Sequence, residues 1–186
     1  MGGLEERLSV KMSEHGVQYV RRVAAECDSP EALGELWGIA VSGCGRVAYN
    51  ALWVMTHLGP AGRGWLLDKQ GQLVSMAMGE ADSSRLRLML GLLVEQPFGQ
   101  DSVNADFLDF CLAKISSCSE KPAVRAACVK LAFAMCSHWP ELLGELSGVL
   151  QMLDDEPDIP YALMSIRVRT EKKIQQILGK RIRQAD

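Results

Sequence analysis

Residues 122–136 read Pro122-Ala-Val-Arg-Ala-Ala-Cys-Val-Lys-Leu-Ala-Phe-Ala-Met-Cys136, and this stretch decides the fold. Val124, Ala127, Cys128, Leu131, Ala132 and Met135 recur at helical spacing. Val129, Phe133 and Cys136 form a second apolar row beside the first, which leaves Lys121, Arg125 and Lys130 to face water. A helix apolar over that much of its circumference must be covered on more than one side. The next segment begins with Pro140, well suited to a first helical turn. It carries Leu142, Leu146, Val149, Leu150 and Leu153 on one face, against Glu141, Glu145 and Gln151 on the other.

The same alternation extends upstream. Ser29-Pro30-Glu31 reads as a cap, a first-turn proline and a first-turn acid, opening a helix through about Val41. Gly43 and Gly45 interrupt it, and a second apolar helix is predicted from about Arg46 to Leu58. The glycine-rich run Gly59 to Gly64 reads as a turn, followed by a helix over about Trp65 to Met78. Asp82 and Ser83 offer caps for a helix from Ser84 to Glu95, and Asn104 caps one carrying Leu108, Cys111, Leu112 and Ile115. No alternating strand pattern occurs.

These helices come in similar pairs. Arg46-Val-Ala-Tyr-Asn-Ala-Leu-Trp, Arg85-Leu-Arg-Leu-Met-Leu-Gly-Leu and Arg125-Ala-Ala-Cys-Val-Lys-Leu-Ala superimpose, their arginines 39 and 40 residues apart. The segment after Pro160 repeats the one after Pro122 with a shift of 38. One helix pair cannot bury both of its apolar faces alone, whereas stacked copies can, so a two-helix period of this length predicts a solenoid.

The core Pro122-Ala-Val-Arg-Ala-Ala-Cys-Val-Lys-Leu resembles the Pro-x-Val-Arg-x-x-Ala core of HEAT repeats, with Cys128 in the small-residue position. Leu146-Ser-Gly-Val-Leu-Gln-Met-Leu-Asp-Asp-Glu-Pro-Asp-Ile is similar to the stretch that links one such repeat to the next. The resemblance is good over 120–178 and loose from Gly45 to Cys118. It implies an α-solenoid with a concave surface that binds protein or nucleic acid.

Composition agrees with such an object. The 186 residues suffice for one domain, and a folded chain of this size hides roughly 70% of the surface exposed on unfolding. With 48% apolar and 23% charged residues, a disordered chain, a collagen-like rod and a disulfide-stapled miniprotein are excluded. Residues 161–186 carry seven Lys or Arg against two acids, so a body of net −8 ends in a helix of +5. The six cysteines form no Cys-x-x-Cys pair and read as buried thiols of a reducing compartment. The amino terminus lacks the order of a secretory signal, and Glu6 stands where myristoylation wants Ser or Thr. No apolar run approaches the roughly 18 residues of a membrane span. A cytoplasmic location is expected.

Motifs that carry chemistry do not appear. His15, His57 and His138 sit in no metal-ligand spacing, and Cys136 and His138, two apart, point to different sides of a helix. Neither Gly43-Cys-Gly45 nor the Gly59 to Gly64 run follows a strand, as a phosphate or dinucleotide loop requires. No Gly-x-Ser-x-Gly elbow occurs. The expectation is a protein without a catalytic centre, cofactor or metal.

Two groups of residues stand out as candidates for interaction. Arg169, Lys173, Lys180 and Arg183 gather along one stripe of the terminal helix and suit either phosphates or the polar outer face of a capping helix. Leu163, Ile166, Ile174, Ile177 and Leu178 lie on another stripe of that helix. The repeat arginines Arg46, Arg85 and Arg125 suit either ion pairs to neighbouring acids or a basic ladder on a groove. Trp37, Trp53, Trp65 and Trp139 supply core packing, or stacking surfaces if the resemblance extends to HEAT-like DNA glycosylases. No motif places the catalytic aspartate such an enzyme requires.

The sequence therefore predicts an all-α, right-handed superhelix of about four helix pairs forming one domain over 1–186. Residues 1–29 are a helical cap, 30–160 the HEAT-like pairs and 161–186 a basic capping helix. The expected function is a non-catalytic scaffold that docks a protein partner, with no membrane role. The alternative is nucleic-acid binding of the DNA alkylation repair glycosylase type through the terminal helix.

Overall fold

Capping and apolar spacing set the helix boundaries seen in the computed structural model, which describes residues 3–100 and 104–185, without the side chains at 13 and 181–185. The described chain is helical throughout, with no strand among the described residues, and divides into two compact units, Met1–Gln96 and Pro97–Asp186.

The first unit holds α1 (Leu4–Ser9), α2 (Met12–Glu26), α3 (Pro30–Ser42), α4 (Gly45–Met55), α5 (Pro60–Leu67), α6 (Gln70–Gly79) and α7 (Ser83–Val94). Gly16, with φ 75, interrupts α2 near its start. Ser29 caps α3 by accepting from the Ala32 amide at 3.2 Å, and Pro30 occupies the first turn, as its sequence demanded. Leu33, Leu36, Trp37 and Ala40 of α3 are buried, as are Ala48, Ala51, Leu52, Val54 and Met55 of α4, and the two helices pack on each other. A buried polar group locks the amino end to this core. Asn50 of α4 donates both amide hydrogens outward, to the carbonyls of Leu8 at 2.8 Å and Val10 at 2.9 Å. Those carbonyls lie at the end of α1, where the helix leaves its last acceptors open, and that of Val10 also accepts from the Met12 amide at 2.9 Å.

One expectation is corrected in this unit. The run Gly59 to Gly64 is not a turn but the opening of α5, and the helix expected over Trp65 to Met78 is two helices that meet at Asp68 and Lys69. Gly59 stands at the cap and Pro60 at the first helical position, the one place where a missing N–H costs nothing. Gly62 is buried against Leu58, so its lack of a side chain serves packing rather than a bend.

The second unit holds α8 (Ala105–Ser116), α9 (Pro122–Cys136), α10 (Pro140–Met152), a 3-10 turn at Leu153–Asp155 and α11 (Tyr161–Ala185). Asn104 caps α8 by accepting from the Phe107 amide at 3.0 Å. Helices α8, α10 and α11 all pack on α9, which explains its two apolar rows: Val124, Cys128, Val129, Leu131, Ala132, Met135 and Cys136 are buried. The buried face of α10 is turned toward Leu143, Leu146, Ser147 and Leu150, with Leu142 and Val149 only half-buried. Arg125, expected to face water, is buried as well. The reason is a set of partners that its own helix does not contain, described below.

Candidate functional site

Helices α4 and α7 pack side by side in the first unit. Gly45, Arg46 and Tyr49 at the amino end of α4 face Asp82, Ser84 and Arg85 at the amino end of α7 across a groove of about 490 Å³. The two helices therefore run in the same direction. A second hollow, of about 290 Å³, continues from Arg46 and Tyr49 toward Lys11, Asn50 and Trp53. Arg46, Tyr49 and Trp53 are spaced three and four apart and share one face of α4. The Tyr49 and Trp53 rings are both half-buried, with centroids 6.3 Å apart and planes at 52°.

The charges around this groove are unequally engaged. Arg46 is exposed and makes no ion pair among the described residues. Arg85 has its Nε 3.0 Å from Glu80 Oε2, and the Lys11 ammonium sits 2.6 Å from Glu14. The Asp82 carboxylate is turned to the backbone, accepting from the Ser84 and Arg85 amides, each at 2.8 Å. Cys44, which precedes α4, supplies no side-chain cap, so the first amides of α4 add partial positive charge beside Arg46. Gly45 holds the chain at φ 54, a left-handed conformation that lets α4 start next to the end of α3.

The structure thus joins two of the three repeat arginines, Arg46 and Arg85, on one groove. Arg125 belongs to the second unit, is 2% exposed, and serves the fold. Its Nε donates to the Ile115 carbonyl at 2.9 Å and its two terminal nitrogens grip the Glu156 carboxylate at 2.7 and 2.5 Å. Glu156 holds the guanidinium above its ordinary pKa, against the effect of burial, and Arg125 in turn holds the Glu156 carboxyl below the usual carboxylate range.

On α11, Arg169, Lys173 and Lys180 are exposed, together with Lys172. Arg183 lies outside the residues whose side chains are described. Lys173 rests its ammonium 5.5 Å from the centre of the Phe133 ring, and Lys180 lines a shallow hollow with Lys172 and Gln176. On the apolar stripe of α11, Leu163 and Ile174 are buried, while Ile166, Ile177 and Leu178 are half-buried.

Sequence reasoning missed Arg167. Its Nε donates to the Leu150 carbonyl at 3.0 Å, and its guanidinium pairs with Asp154 and stands 3.5 Å from Glu171. The signal was available: an arginine four residues before an acid on one helix face, in a helix otherwise marked as a basic stripe.

The tryptophans divide between two roles. Trp37 is buried and meets Trp65 edge-on with centroids 6.5 Å apart, whereas Trp53 borders the groove and Trp139 is 39% exposed. Cys136 is buried, and its thiol is pushed up to about 12 by burial and by Glu145. His138 places Nε2 3.0 Å from the Phe98 carbonyl. No three metal-ligating side chains gather among the described residues, and no described helix is long and apolar enough to cross a membrane.

An all-helical chain with a helix packed by three others, α8, α10 and α11, and with arginines recurring near a 40-residue period, has the architecture of a helical repeat protein. The HEAT repeat domain family matches residues 4–174, and the chain belongs to that family. No curated protein and no solved structure matches it.

Proposed function

We propose that this HEAT-repeat protein is a non-catalytic scaffold that docks an acid-bearing segment of a partner protein along the α4–α7 groove. The observation that carries this reading is the stripe Arg46, Tyr49 and Trp53, accessible on one face of α4 with Arg85 opposite. Arginine, tyrosine and tryptophan dominate the energetics of protein interfaces, because they combine large contact area with directed polar groups. A carboxylate entering between Arg46 and Arg85 would also meet the amino end of α4, while the aromatic rings take an apolar neighbour. The reading includes one solenoid domain over 1–186 in a reducing, cytoplasmic setting, which the six free thiols favour.

The test is affinity capture from host lysate with the wild-type chain and with the Arg46→Glu/Tyr49→Ala double variant, each with and without nuclease. A protein recovered in near-equal amount, resistant to nuclease and lost from the double variant, is the expected result. Equal recovery by both chains would remove the groove from the reading.

One set of residues favours nucleic acid as a second reading: Arg169, Lys172, Lys173 and Lys180 are all exposed on α11. Binding through them would weaken steeply with salt, because each phosphate contact releases counterions. Duplex DNA binding that is salt-dependent and lost on Lys173→Glu/Lys180→Glu would support it, and a flat titration would dismiss it.

A further inference from the structure

Because α4 and α7 run in the same direction, their carboxyl ends also meet, at the other end of the pair from the docking groove. There they enclose, with α5, a cleft of about 370 Å³, inside the range of roughly 300–1,000 Å³ that small-molecule sites occupy. Met55, Leu66 and Leu92 give it an apolar wall, and Arg63, Glu95 and Gln96 supply its polar groups.

Gln96 is the informative residue. It is only 8% exposed, its amide nitrogen reaches the Leu66 carbonyl at a long 3.4 Å, and its buried Oε1 has no hydrogen-bond partner among the described residues. A buried amide oxygen without a donor is costly, and native structures rarely leave one so. Oε1 is shielded from the cleft as it stands, so a ligand meets it only when the amide turns, a movement that the long bond to Leu66 opposes weakly. Arg63 and Glu95 line the same cleft, are both exposed, and make no ion pair among the described residues, with each other or otherwise. The carboxyl ends of α4 and α7 both border the cleft and add partial negative charge there, with Glu95 itself at the end of α7.

The geometry points to a binding site for a small zwitterion with an apolar body, of the class of a free amino acid with a branched or aromatic side chain. Its ammonium group would meet Gln96 Oε1, Glu95 and the two helix ends, its carboxylate would meet Arg63, and its side chain would cover Met55, Leu66 and Leu92. Neither charge alone fits as well. A simple anion would leave Gln96 Oε1 without a donor and would face Glu95, and a simple amine would face Arg63 with nothing to neutralise it.

The test is calorimetric titration of the full chain with L-leucine and L-phenylalanine. Parallel titrations use the corresponding amino-acid amides, which lack the carboxylate, and the N-acetyl derivatives, which lack the ammonium group. Saturable binding of at least one amino acid is expected, weakened about tenfold or more in each derivative and in Gln96→Leu, Arg63→Met and Glu95→Gln. Arg63 and Glu95 are exposed, so those two variants decide the matter if Gln96→Leu does not fold. No saturable heat up to about 10 mM, well past the affinity of a weak small-ligand site, would overturn the inference. So would equal affinity for the zwitterion and its derivatives, or affinities unchanged in the variants.

Discussion

Arg125 and Arg167 perform the same task 42 residues apart. Each donates through Nε to a carbonyl in the last turn of the helix before it, Ile115 in α8 and Leu150 in α10. Each then turns onto an acid of the turn between α10 and α11, Arg125 with both terminal nitrogens on Glu156 and Arg167 with Nη2 on Asp154, its Nη1 going to the Met164 sulfur. Carbonyls at helix ends lack their full set of partners within the helix, and that of Leu150 takes Arg167 beside the Leu153 amide, so each arginine caps a helix and clamps a loop at once. The connection from α10 to α11 is thereby fixed at two points.

Removing Arg125 should destabilise the protein strongly. Arg125→Met leaves the Ile115 carbonyl and a Glu156 side chain that is only 13% exposed without a partner. Breaking a buried pair costs about 3–5 kcal/mol, and the partial exposure of Glu156 puts this one near 3. In a chain of this size that lowers Tm by roughly 6–12 °C in a circular-dichroism melt. Arg125→Lys should recover little, since lysine supplies neither the fork nor the Nε bond. A melt within a degree of wild type would show that the pair contributes nothing net.

The same pair sets an acid limit to stability. Arg125 holds the Glu156 carboxyl below its ordinary range; at Glu120, where burial acts to raise it, the hydrogen bond from Lys114 and the Lys121 amide win and lower it. A carboxyl whose folded pKa lies below its unfolded value binds more protons when unfolded. Its stabilisation is complete above the unfolded value, about 4.3, and fades as pH falls through the folded one. Urea midpoints should therefore drop from pH 6 to pH 3, and less so in Glu156→Gln, which starts lower. Parallel curves for the two proteins would remove Glu156 from the acid transition.

Thiol chemistry should divide the six cysteines. Cys27, Cys111, Cys128 and Cys136 are buried, whereas Cys44 and Cys118 are exposed. Burial raises Cys27 and Cys136, and a hydrogen bond with Cys128, helped by burial, raises Cys111. The thiolate is the reacting form, so these groups resist thiol reagents twice over. Ellman's reagent at pH 8 should titrate two thiols rapidly in the native protein and six after denaturation. A fast phase that survives Cys44→Ser/Cys118→Ser would contradict the burial of Cys27, Cys111, Cys128 or Cys136.

Much of this was legible in the sequence, and the failures share a physical cause. The double apolar row of residues 122–136 required a helix covered on several sides, and α8, α10 and α11 provide that cover. Ser29, Asp82 and Asn104 announced helix starts because capping is local. The water-facing expectation for Arg125 failed because its partner lies 31 residues onward, beyond an intervening helix. The shift of 38 between Pro122 and Pro160 hid the equivalence of Arg125 and Arg167. Arg125 comes three residues after its proline and Arg167 seven, one helical turn later. Arg46 and Arg85 were legible as a period, but the groove that joins them depends on α4 and α7 running side by side. The cleft around Gln96 is assembled from the ends of two helices and the side of a third, so no single stretch could display it.

Two glycine substitutions should move stability in opposite directions. At Gly45 the backbone holds φ 54, and an added Cβ would meet no atom within 4 Å, so Gly45→Ala isolates the conformational cost of the left-handed state. That cost is about 1–2 kcal/mol. Gly38 lies inside α3, and there too a Cβ meets open space. Gly38→Ala should instead stabilise by about 0.5–1 kcal/mol, because alanine loses less backbone entropy on entering a helix. Melts of the two variants should bracket wild type, Gly45→Ala lower by roughly 2–8 °C and Gly38→Ala higher by roughly 1–4 °C. On the proposed docking at the Arg46 groove, Gly45→Ala should also recover less partner in the affinity capture, because Gly45 sets the start of α4, whereas Gly38→Ala should recover as much as wild type. Equal binding by both would mean that the groove tolerates a displaced α4 amino end, and Arg46 would then act through its own side chain alone.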